Sequence, residues 1–398
     1  MNEVTTSAAP GQASAAPYTM WQLVLYMLGL GTWGFGGPVA LVGYMHRDLV
    51  DGRKWFTEAD YREGMVLSQL MPGPLAAQLA IYLGYVHYRV LGATLVGLAF
   101  VIPSFLMVVA IGAAYVEFGG ISWMQAVFYG VGASVIGIIT MSAYKLATKS
   151  LAKDKLLWAI FAVSAIVTFV TQNEWVGLFI GAGILVWLLR APPKNLGNKL
   201  RSSAAASAPI VIGALATSTD DNRLMQIAGF FAYAGSFVFG SGLAIVPFLY
   251  SGAVVEHHWL NDRQFVDAVA VAMITPGPVV ITTGFIGYLV AGFPGACVAA
   301  LATFIPCYLL TILPAPYFKK HGKHPAIVAF VDGVTAAAVG ALAGAVLVIA
   351  QRSITDWLTA ALAIVTAGIL WKWKLPEPLV VIVAALIGLV AYPLMKHA

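Results

Sequence analysis

The sequence predicts an all-α polytopic membrane protein of two homologous halves with inverted topology, each half holding five transmembrane helices and one re-entrant helical hairpin. Three observations carry this prediction. Of the 398 residues, 60% are hydrophobic and 10% charged, and the mean hydropathy is +0.85, a composition suited to lipid rather than water. The motifs occur twice: Phe35–Gly36 returns as Phe239–Gly240 and Pro72–Gly73–Pro74 as Pro276–Gly277–Pro278, both 204 residues on. The basic residues collect on one face when each half crosses five times.

Residues 1–17 are small and polar with no Lys or Arg, so they lack the basic start of a signal peptide and read as a disordered tail. Apolar segments follow at 18–45, 63–86, 90–116, 122–144, 156–171 and 175–189, which make an N-terminal transporter repeat over 18–190. A polar, basic stretch at 191–223 reads as a cytoplasmic linker. The second repeat, 224–395, holds segments at 224–254, 265–290, 292–318, 326–350, 357–370 and 379–393. Positions 35–74 align with 239–278 without a gap, pairing Trp55 with Trp259 and Glu63 with Asp267. After one deletion the offset is 203, pairing Gly84–Tyr85 with Gly287–Tyr288 and Pro103 with Pro306. Segments that match in order and length are an internal repeat.

The second segment of each half is the hairpin. Its Pro-Gly-Pro triplet divides about 25 residues into two runs of about ten to twelve, each roughly 17 Å long, enough to reach the middle of the bilayer and return. Proline removes a helical hydrogen bond and pushes the residue before it out of the helical region, so two prolines around a glycine favour a turn. A kinked but continuous helix is the alternative. With five crossings per half and both termini outside, 19 of the 22 Lys and Arg fall inside, only Arg263, Arg352 and Lys396 lying outside.

The same triplets suggest the chemistry. A half-helix beginning at Pro74 or Pro278 aims unpaired N–H groups and a positive dipole end at the membrane centre, where it can bind an anion without a buried Lys or Arg. Two such hairpins entering from opposite faces share a midplane site. The Phe35, Gly36, Gly37, Pro38 run and the Phe239, Gly240, Ser241, Gly242 run lie mid-segment, where glycine permits close approach or local unwinding. Ser68, Gln69, Gln78, Ser236, Ser241, Thr275, Thr282 and Thr283 offer hydroxyl and amide donors for a tetrahedral oxyanion, although any one hydroxyl can equally bond a preceding carbonyl.

Ionisable groups limit the mechanisms. Glu63 and Asp267 occupy equivalent hairpin entrances and are candidates for proton coupling, as is Asp332; all three can also sit hydrated at interfaces. His46 and Arg47 end the first segment, where snorkelling to head groups competes with attracting an anion. All seven histidines lie in loops or at segment ends, which leaves Ser241 without a buried base and argues against a membrane-embedded protease. Glu256, His257 and His258 form a solvated loop rather than a metal site. Cys297 and Cys307 lie about 15 Å apart along one helix, too far to bridge. There is no GKS or GKT phosphate loop, and the net charge of +5 is spread over loops rather than forming a nucleic-acid stripe. No catalytic residue, metal or cofactor is expected, and the partners are an oxyanion and the lipid bilayer, with a homodimer allowed for.

At these residues the sequence resembles the chromate ion transporters. The resemblance rests on Phe35, Gly36, Gly37, Pro38 with Val42, Gly43, Tyr44; on the run Leu67, Ser68, Gln69, Leu70, Met71, Pro72, Gly73, Pro74; and on Phe239 to Gly242 with Pro276, Gly277, Pro278. It covers about 20–395 and matches the long, two-domain members. It implies chromate efflux across a bacterial inner membrane, with sulfate as the structural analogue and two halves of opposite orientation, the motif positions lining the pathway. Export is also physically reasonable: a dianion leaving a negative interior gains about 4.6 kcal/mol per 100 mV, which needs neither nucleotide hydrolysis nor proton coupling. Proton-driven export, a carrier or channel for another oxyanion and a membrane-embedded enzyme are the competing readings.

Overall fold

The computed structural model describes residues 17–35, 37–118, 122–172, 175–192, 223–238, 242–321, 324–373 and 375–396, and these are helical apart from short turns. Helix α1, Met20–Trp33, starts at a capping box in which the Thr19 side chain accepts from the Gln22 N–H and the Gln22 side chain from the Thr19 N–H. It ends at Gly34. Helix α2, Gly37–Met45, continues through a π-helical stretch at His46–Gly52. The 18–45 segment therefore does not run straight from one face to the other. Tyr18 stacks on Trp55 at 4.9 Å and its hydroxyl meets His87 Nδ1 at 2.7 Å, while the Tyr26 hydroxyl donates to the Tyr44 carbonyl at 3.2 Å. The two ends of the segment return to one side.

The cause is local. Gly37 has φ +73° and Pro38 follows it, so the helix is interrupted near its middle. What remains is runs of 14 and 9 residues, about 21 and 14 Å long, joined by a reversal rather than forming one continuous span. The second segment also turns back, bringing Gly64 against the Tyr82 ring. Helix α3, Glu58–Leu70, meets the Pro72–Gly73–Pro74 turn, and α4, Leu75–Phe118, leaves it. A break at Arg89, φ 54°, divides α4 into a returning limb, 75–88, and a long limb, 90–118.

Three further helices complete the half: α5 Ser122–Leu151, α6 Lys155–Thr171, capped by Asp154, and α7 Val176–Arg190. The second half repeats the plan. Helix α8, Arg223–Ser236, and the stretch from Gly242 through α9, Val246–Tyr250, to Glu256 fold together, with Phe230 against His257 and Trp259. Helix α10, Asp262–Ile274, leads to the second Pro-Gly-Pro turn, and α11, Thr282–Ile312, breaks at Ala291–Gly292. Then come α12 Ala315–His321, α13 Pro325–Ser353, α14 Trp357–Lys372 and α15 Glu377–Lys396.

The repeat is visible in the packing. Gly84 faces Gly92 as Gly287 faces Gly295, and Gly31 faces Phe100 as Gly235 faces Thr303. The long limbs of α4 and α11 run antiparallel. Thr94 Oγ1 meets the Tyr308 hydroxyl at 2.6 Å near one end, and Gly112 packs on the Tyr288 ring near the other. The mouth formed by Tyr18, Trp55 and His87 lies at one end of this limb, about 42 Å long, and that formed by Trp259 and Asp262 lies toward the other, where Arg263 donates to the Gln125 carbonyl at 3.2 Å just beyond the limb. Small residues let the outer helices approach closely: Gly340 on Phe161, Gly333 on Ala182 and Gly130 against Ala384 and Gly388. Arg190 joins Asp154 and Asp332 at the ends of α7, α6 and α13, so Asp332 is ion-paired there. The expected linker, 191–223, lies outside the described residues except at its ends, and Arg223 opens α8.

Candidate functional site

Four interrupted helices meet at their tips. A Pro-Gly-Pro triplet has one N–H, and both triplets use it across the two halves. Gly73 donates to the carbonyl of Val238 at 2.5 Å, and Gly277 donates to that of Gly34 at 3.0 Å. These bonds are repeat equivalents, because 34 and 238, like 73 and 277, differ by 204. Both glycines have positive φ, +145° and +95°, and a Cβ on either would collide, at Gly73 with the Gln78 amide and Cys307 Sγ, at Gly277 with Ser104 Oγ. Ser104 was not singled out from the sequence, and Cys307 was considered there only as a disulfide candidate. They follow the paired Pro103 and Pro306 by one residue, so the repeat contained the signal.

The hydroxyls behave differently from the expected donor set. Ser68 donates to the Gly64 carbonyl at 2.8 Å, Ser236 to Ala232 at 2.7 Å, Thr275 to Val271 at 2.6 Å and Thr282 to Val279 at 2.7 Å. Their protons are committed to their own helices, because hydrocarbon offers no competing acceptor. Thr283 Oγ1 and Gln78 Oε1 are buried without a hydrogen-bond partner. The Gln78 amide is fixed by donation from Nε2 to the Pro72 carbonyl at 2.8 Å. The donors left at the tips are backbone N–H groups in the first turns at Leu75, Ala76 and Ala77 and at Val279 and Val280, which have no acceptor within the helix. Gly36, Phe239, Gly240 and Ser241 fall outside the described residues; Gly242 is buried.

The tips are unequally covered. Gln69 and Phe35 are exposed, and Gly37, Pro38 and Pro72 are half-buried, whereas Thr275, Pro276, Gly277 and Pro278 are buried. Beside the open tip stands Glu377, on the first turn of α15, whose Oε2 lies 3.7 Å from where a Gly37 Cβ would be. As a carboxylate opening a helix between two prolines it resembles an ordinary interfacial start, which is why the sequence did not single it out.

The remaining candidates lie away from the tips. Asp267 is 2% exposed and accepts from the Tyr115 hydroxyl at 2.8 Å, about 13 Å before its turn; Glu63 sits beside Tyr82. His46 pairs with Glu58 at 2.8 Å and Arg47 with Asp48 at 2.8 Å, so neither serves the tips. At that mouth the Arg47 guanidinium and the Tyr26 hydroxyl hold the Asp48 carboxyl below the usual carboxylate range. His257 stacks on Trp259 at 4.4 Å, and no metal-ligand cluster occurs among the described residues. A cavity of about 530 Å³ opens at the far mouth between His258, Trp259, Asp262 and Arg352, and there Asp262 at 3.3 Å compensates the Arg352 charge.

The chromate transporter family model matches residues 21–187 and 225–389, two blocks whose starts lie 204 residues apart. The chain belongs to the chromate transporter family. Among relatives of this family, a chromate transport protein of Cupriavidus metallidurans is 68% identical over 394 residues, covering 98% of both chains. A probable chromate transport protein of Synechococcus elongatus is 60% identical over 94% of this chain and 96% of its own. The Pseudomonas aeruginosa chromate transport protein is 29% identical over 98% and 96%. No solved structure matches the chain. As a chromate transporter family member it is a multi-pass membrane transport protein and not an enzyme.

Proposed function

We propose that the protein exports chromate from the cytoplasm, holding the oxyanion where the four tips meet. The observation that carries this is the reciprocal pair of hydrogen bonds from Gly73 to Val238 and from Gly277 to Gly34. Irregular backbone at membrane depth is tolerated where it is buried in protein or lines a cavity, and paired interruptions in two repeats mark a substrate site. The donors there are backbone N–H groups on helix N-termini, which suit an anion and leave no side-chain cation to trap it.

The same contacts favour two hairpins and four crossings per half, in place of one hairpin and five. The crossings are the long limb of α4 with α5, α6 and α7, and the long limb of α11 with α13, α14 and α15. The inverted relation of the halves is retained. Of the 17 Lys and Arg at described positions, Arg47, Arg53, Lys54, Arg62, Arg89, Lys145, Lys149, Lys153, Lys155, Arg190, Lys319, Lys320 and Lys372 share one face. Arg223, Arg263, Arg352 and Lys396 take the other. The positive-inside rule makes the first face cytoplasmic, so Tyr18 starts inside and Lys396 ends outside.

With that orientation the open tip faces the cytoplasm and the buried one faces outward. Each negative charge that leaves gains about 2.3 kcal/mol per 100 mV, so the membrane potential suffices as the driving force. Inside-out vesicles given an interior-positive potential and no pH gradient are expected to accumulate labelled chromate. No accumulation at any potential or pH would overturn this reading.

A further inference from the structure

Gln78 is fully buried, its Nε2 is held by the Pro72 carbonyl at 2.8 Å, and its Oε1 has no hydrogen-bond partner. The amide lies over the first turn of α4, beside Gly73 and opposite Cys307. An orphaned buried acceptor is costly, so this one points to a ligand that brings a hydrogen. It also sits beside a helix start whose N–H groups, those of Leu75, Ala76 and Ala77, have no acceptor within the helix. One acceptor next to several donors is the complement of an oxyanion that carries a single proton. A fully deprotonated tetrahedral anion meets the same N–H groups but turns a lone pair toward Oε1.

We propose that Gln78 selects the singly protonated oxyanion, hydrogen chromate, its O–H donating to Oε1 while its bare oxygens accept from the first-turn N–H groups. Chromate exchanges this proton near neutral pH. Sulfate holds none there, so the same contact discriminates against sulfate. The inference rests on the tips being the oxyanion site, and it changes the transported charge from two to one.

The titratable groups at this turn and the neighbouring tip are Cys307 from α11 and Glu377 from α15 beside Gly37, and further along the same hairpin lies Glu63 from α3 beside Tyr82. Their protonation would alter the handling of every anion. Protonation of the substrate alters that of chromate alone.

The test uses the full chain in inside-out vesicles. Initial rates of labelled chromate uptake are expected to fall about tenfold per pH unit once the dianion predominates, with sulfate a poor inhibitor throughout. Steady-state accumulation should rise about fiftyfold per 100 mV, against about two-thousandfold for two charges. Gln78→Met, similar in shape without the acceptor, should flatten the pH profile and let sulfate compete. Uptake that follows the dianion, a two-charge slope, or a Gln78→Met profile unchanged because Oε1 holds only a buried water would each overturn the proposal while uptake itself continues. Absence of uptake would overturn the underlying transport reading as well.

Discussion

Gly73 donates its amide proton to the carbonyl of Val238 at 2.5 Å, and this joins the tip of one repeat to the tip of the other. The Pro-Gly-Pro triplet has no second N–H to give, so its single amide proton is used for assembly. The triplet is thus a joint, and in the proposed function the half-helix behind it binds the anion.

Gly277→Ala should reduce chromate uptake by at least about tenfold while the protein still reaches the membrane. The new methyl group meets Ser104 Oγ, and an L-residue at φ +95° costs about 1–2 kcal/mol besides. Gly73→Leu should abolish uptake. Quantifying membrane-inserted protein alongside uptake checks both, and unchanged uptake would make the turns mere packing.

A cysteine at Pro17 or Lys153 should resist membrane-impermeant thiol reagents in intact cells, and one at Asn261 should react. Labelling at Pro17 would restore an outside N-terminus and a first segment that crosses.

Asp267→Asn should leave potential-driven uptake within about threefold of the parent, since its carboxylate contacts Tyr115 rather than the tips and a hydrogen bond of ordinary strength is at stake. Loss of uptake in vesicles without a pH gradient would make Asp267 part of the transport cycle.

Glu377→Gln should raise the apparent affinity for chromate severalfold at neutral pH, because a carboxylate beside Gly37 repels the arriving anion. Concentration dependence of the initial rate checks this, and a weaker affinity would make Glu377 a ligand-positioning group instead.

Asp48 ties the first hairpin at its mouth through Arg47 and Tyr26. Its folded-state carboxyl is depressed, so its contribution is present above the unfolded carboxylate range and lost as the pH falls through the lower, folded value. Asp48→Asn should lower thermal stability by up to about 1 kcal/mol at neutral pH and by nothing in strong acid, as read from detergent-solubilised melting curves.

The repeat and the Pro-Gly-Pro turns were legible because each leaves a pattern along the chain. The fold-back of residues 18–45 was not, since 28 apolar residues match a full crossing and Gly37 with Pro38 fits local unwinding as well as reversal. Long-range contacts at Tyr18 decide between them. The bonding of Ser68, Thr275 and Thr282 to their own helices depends on rotamer, which residue type alone does not specify. Gln78 stood out as a polar residue in an apolar run, but the orphaned oxygen follows only from the bond of its nitrogen to Pro72.

The most direct measurement is the charge moved by the protein reconstituted in proteoliposomes on a solid-supported membrane after a chromate concentration jump. The expected result is a transient current carried by the anion in the parent protein and none in Gly73→Leu. A chromate flux without current, or an undiminished current in Gly73→Leu, would contradict an electrogenic path between the joined tips.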